Sequence, residues 1–116
     1  MAIMTREEFR AKCREKQNAI TNAKNAFAEL LENRVKELNE NTYKEYIGKK
    51  VEITYKLLCF THTLTHVERG YCEGVRRDCF GQICLTLSVI RKDGSRGARR
   101  ACSVVESEVL SIKTID

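Results

Sequence analysis

Six arginines fall between positions 76 and 100 of this 116-residue chain, as Arg76-Arg77 and then Arg91, Arg96, Arg99 and Arg100. A planar guanidinium carries a permanent charge and pairs bidentately with phosphate or carboxylate, so such a cluster offers chemistry for an anionic ligand. Tyr71 and Phe80 stand close enough in sequence to supply stacking surfaces for a base. Arg99 and Arg100 are adjacent, so on a regular strand they point to opposite faces and one of them meets the side that carries Leu87 and Val89.

Other chemistry is weaker. Cys59, His62, His66 and Cys72 place four metal-ligating types within fourteen residues, but without the paired knuckles of a zinc site, and strand parity sets Cys59 against the two histidines. No metal or other cofactor is expected. A Cys–His nucleophile finds no glycine elbow or oxyanion loop, and the acids of the second half are scattered singly, so no catalytic residues are assigned and the expectation is a protein that is not an enzyme.

The basic excess belongs to the second half: residues 47–116 hold 12 basic against 8 acidic groups, residues 1–46 hold 9 against 8. That balance suits a nucleotide, a nucleic acid or an acidic protein as partner. Six cysteines without a leading apolar block read as reduced thiols, and no apolar run approaches the ~20 residues of a bilayer span, so no membrane partner and a cytoplasmic location are expected.

The positioning elements follow in order. Residues 1–116 read as one domain, a helical part at 5–40 and a β part at 47–115. Thr5 and Glu8 form a capping box with Met4 and Phe9 as its staple, and nothing breaks the helix from Thr5 to about Leu38. At ~1.5 Å per residue it is roughly 50 Å long. Its seam includes Ile20, Phe27, Leu31, Val35 and Leu38, which we expect to build a homo-oligomer.

Beyond it, Val51, Ile53, Tyr55 and Leu57 alternate with polar residues as a half-buried strand. An extended segment closes at Glu68-Arg69-Gly70, and Tyr71 to Arg77 forms a separate short strand. Ile83 to Val105 is a β-hairpin turning at Asp93-Gly94, and Leu110 to Ile115 is the last strand. The fold class is α+β: a long N-terminal helix, then five or six antiparallel strands in a barrel or sheet.

The segments GKKVEITYK, GYCEGVRRD, the hairpin and VVESEVLSIKTI resemble, over residues 47–115, a small SH3-like barrel of the Sm, Tudor or KOW kind. That resemblance implies a barrel preceded by a helix and, for an Sm or Tudor module, RNA or DNA binding. Where the Sm pattern has an aspartate–asparagine loop and Ile-Arg-Gly, this chain has Gly81-Gln82 and Val105-Glu106-Ser107. The long helix joined to a basic β half is also similar to the first family of Thoeris anti-defence proteins, phage-encoded sponges that sequester cyclic nucleotide immune signals without cleaving them. That similarity implies an oligomer with a basic nucleotide pocket, acting in the bacterial host cytoplasm. The alternatives are nucleic-acid binding and inhibition of a host protein.

Overall fold

The computed structural model describes residues 3–59 and 61–116, the Cys59 side chain apart. The chain resolves into two compact units, Met1–Leu30 and Leu31–Asp116, divided within one helix. Helix α1 runs Arg6–Glu37. Thr5 begins it as expected, its Oγ1 accepting the Glu8 amide at 3.1 Å and its carbonyl the Phe9 amide at 3.0 Å. Glu7 and Glu8 in the first turn and Arg34 and Lys36 in the last complement the helix dipole. A π-helical turn, Leu38–Thr42, ends the helix, with the Asn41 side chain donating to the Glu37 carbonyl at 2.8 Å.

Five strands follow: β1 Lys50–Cys59, β2 His62–Arg77, β3 Ile83–Ile90, β4 Arg96–Val105 and β5 Val109–Thr114. They form one open antiparallel sheet in the order β4-β3-β2-β1-β5, so β4 and β5 stand at its edges. The long helix and antiparallel sheet are those expected, with five strands and an open sheet in place of a closed barrel. The core of the second unit is Leu38, Tyr43, Val51, Ile53, Tyr55, Cys72, Val75, Leu85, Leu87 and Val104. Val51 and Ile53 are wholly buried, whereas Leu57, on the same parity, is 45% exposed, so the half-buried pattern of β1 ends at Tyr55.

Two sequence expectations fail at glycines. Glu68-Arg69-Gly70 is not a turn: β2 runs unbroken for 16 residues and pairs with β1 from Tyr71 to His62. Gly70 is there because a Cβ would come within 2.6 Å of the Ser88 carbonyl oxygen, a close approach that a turn signal imitates. The break in pairing comes instead between Cys72 and Val75, where Gly74 adopts φ +83° in a bulge. The hairpin tip also differs. Arg91 and Ser95 close it through an amide–carbonyl bond of 2.8 Å, leaving the three residues Lys92–Gly94 as the loop with Gly94 at φ +88°.

Candidate functional site

Strand β3 lies between β2 and β4 and is buried from Cys84 to Ser88 on both faces. Leu85 and Leu87 enter the core, so Cys84, Thr86 and Ser88 take the opposite face. Directly paired residues share a face. Arg76 therefore joins that face opposite Cys84, Tyr71 and Arg100 join it opposite Ser88, and Arg96 opposite Ile90. Lys50 extends the row from β1 opposite Tyr71.

The expected ligand-binding set divides in two. Arg77 is tied to Glu32 at 3.0 Å and Arg96 to Glu73, which also accepts the Ser88 hydroxyl at 2.6 Å. Tyr71 donates its hydroxyl to the Gly94 carbonyl, and Lys50 Nζ stands 6.0 Å from its ring centroid. Arg77 thus ties β2 to α1, while Arg96 and Tyr71 brace the hairpin. Arg76, Arg91, Arg99 and Arg100 are exposed and, among the described residues, have no carboxylate partner. Phe80 is 86% exposed at the turn that Asp78 clamps by accepting the amides of Phe80 and Gln82 at 2.9 and 2.8 Å.

The register settles one member of the Arg99–Arg100 pair. Arg100 opposes Ser88 and so takes the face away from Leu87, because β4 is irregular between its pairs with Leu87, Ser88 and Ile90. Ala101 is the extra residue of the first irregularity and Arg99 lies in the second, so simple alternation does not carry through.

Two features of this face had no signal in the sequence. Thr86 is 2% exposed, and its hydroxyl has no hydrogen-bond partner in the structure. An alternating strand marks Thr86 as a solvent-side residue, and its burial departs from that pattern. The Cys84 thiol lies 3.8 Å from Asp78. Burial, then Asp78, push its pKa up, while Ser103 and the charge of Arg100 draw it down.

Among the described residues three cavities stand out. One of about 560 Å³ is lined by Tyr55, Leu57, Leu58, Val104 and Glu108, and one of about 350 Å³ by Leu31, Ile83, Val105 and Glu106. A third, about 390 Å³, lies along Met4, Phe9, Cys13 and Ile20 within the first unit. No arginine lines any of the three.

The expected oligomer seam also divides. Ile20 and Phe27 are 55% and 52% exposed, as an interface requires, and Leu31 is half-buried. Leu38 is 3% exposed within the core of its own chain, so it serves folding and not a partner, and Val35, partly buried, packs against that core. Of the possible metal ligands, Cys72 is buried in the core and His66 is 3.2 Å from Glu68 with its ring tilted against Tyr55. Cys59 lies outside the described side chains. No family model, curated protein or solved structure matches the chain.

Proposed function

We propose that this protein is a non-enzymatic binder of an anionic nucleotide ligand, held by the unpaired arginines of the β2–β3–β4 layer. The carrying observation is that Arg76 and Arg100 share the face of Thr86 and, among the described residues, form no ion pair with a carboxylate. Exposed Phe80, in the turn that follows Arg76 and Arg77, supplies a stacking surface. Acids stand among these arginines at Glu73, Asp78 and Asp93, and they disfavour a long polyanion more than a compact ligand. In this reading the ligand is a cyclic nucleotide immune signal, and its sequestration blocks host defence signalling. The exposed seam at Ile20 and Phe27 supports a second copy as partner.

A second reading, a nucleic-acid binding module, is favoured by the open position of the arginines, none of which lines the three cavities. Calorimetry against cyclic di- and trinucleotides and cyclic ADP-ribose isomers, beside a gel shift with random RNA and DNA, separates the two. The first reading expects saturable binding of a small nucleotide with shallow salt dependence. A polymer-only response, with a slope near −0.9 per phosphate contact on duplex DNA, selects the second. Silence in both arms refutes both and leaves a protein partner.

A further inference from the structure

We infer that the outer face of β2–β3–β4 is built to seat one phosphodiester group on Thr86, between Arg76 and Arg100. This rests on the nucleotide reading and goes further by locating the phosphate and naming its charge.

The Thr86 hydroxyl is, among the described residues, the one buried side-chain polar atom without a hydrogen-bond partner. Such a group is costly unless something satisfies it. The register brackets it with arginines. Arg76 lies opposite Cys84 and Arg100 opposite Ser88, each two residues along β3 from Thr86 and on the strand to either side. Strand geometry puts both Cα atoms about 8 Å from that of Thr86, which a guanidinium spans.

The charges of the face select the ligand. Glu73 is neutralised by Arg96 and occupied by Ser88, and Lys50 bears on Asp93 at the hairpin tip, leaving Arg76 and Arg100 against Asp78 beside Cys84. Two cations against one anion leave a single positive charge. A phosphomonoester carries about −1.5 to −2 near neutral pH, so it over-fills the site. A diester carries one negative charge, and its two free oxygens accept from both guanidiniums and, once the side chains over Thr86 part to admit it, from the hydroxyl.

The test is calorimetry on the full chain with three probes: a cyclic dinucleotide, a short single-stranded oligonucleotide and a nucleoside 5′-monophosphate. The diesters should bind, and the monoester at least about tenfold more weakly. Thr86→Val removes the hydroxyl at constant shape and should weaken diester binding about tenfold or more, the loss of one charge-assisted hydrogen bond. Its thermal midpoint should not fall, which separates the loss from misfolding. Arg76→Gln and Arg100→Gln should weaken binding at least as much, and Lys56→Gln should leave it unchanged.

Which diester binds more tightly distinguishes a free cyclic nucleotide from a nucleic-acid strand, and either supports the seat. Wild-type affinity in Thr86→Val, or a monoester bound as tightly as a diester, overturns it. Should nucleotides bind while all three variants are indifferent, the nucleotide reading stands and the seat falls. Should none of the probes bind the wild-type chain, both fall.

Discussion

Asn39 holds Val75 by both ends of one amide: its Nδ2 donates to the Val75 carbonyl at 3.0 Å and its Oδ1 accepts the Val75 amide at 2.8 Å. The pair stands where β2 leaves its regular register with β3, so a side chain from the turn after α1 completes the backbone bonding of a bulged strand. Asn39→Ala leaves both backbone groups of a buried residue unsatisfied. It should cost about 2–4 kcal/mol in urea unfolding, and Asn39→Asp should rescue only part of this because it keeps the acceptor alone.

Gly74 belongs to the same joint. Its φ of +83° is in the left-handed region, and an added Cβ would meet Asn39 Oδ1 at 2.6 Å. Gly74→Ala should therefore destabilise by at least ~2 kcal/mol, from backbone strain and from displacement of Asn39. Gly48 has a similar φ but open space around it, so Gly48→Ala should cost only the conformational part. Equal losses in thermal unfolding would refute the coupling to Asn39.

Glu52 provides a pH dependence. Arg69 at 2.7 Å, with Lys113 at 3.3 Å, holds its carboxyl below the ordinary carboxylate range. A lowered folded-state pKa means that the stabilisation is present above the unfolded value and lost as pH falls through the folded one. The thermal midpoint of the wild type should drop more between about pH 6 and about pH 3 than that of Glu52→Gln. The difference should shrink in high salt, since both cations are largely exposed.

The cysteines should differ in reactivity. Cys79 is exposed on the Asp78–Gln82 turn. Burial, with Glu68 nearby, pushes Cys102 up to about 11, and burial also raises Cys72 and Cys84. At about pH 8 roughly a thousandth of Cys102 is thiolate. Brief iodoacetamide treatment followed by peptide mass spectrometry should find Cys79 labelled well before Cys72, Cys84 or Cys102.

Self-association is tested at the exposed seam. Light scattering of the wild type should give a mass above the 13.4 kDa of one chain, and Ile20→Asp and Phe27→Asp should return it towards that value with the fold intact. Leu38→Asp should unfold the chain instead, because Leu38 belongs to the core.

The sequence by itself determined the elements whose signals are local. The Thr5 cap, the uninterrupted helix, the alternation of Val51, Ile53 and Tyr55 and the presence of a hairpin turn around Gly94 each depend on neighbours within a few residues, and each stands in the structure. The arginine cluster was equally legible as composition. Only the tertiary structure decided which arginines are free. Glu32 reaches Arg77 and Glu73 reaches Arg96 across 45 and 23 residues of chain, and no local pattern encodes such pairing. The continuity of β2 through Gly70, the burial of Thr86 and the face taken by Arg100 were likewise hidden. Each depends on how one strand approaches another, and a bulge that shifts the register by a single residue moves a side chain to the other face of the sheet.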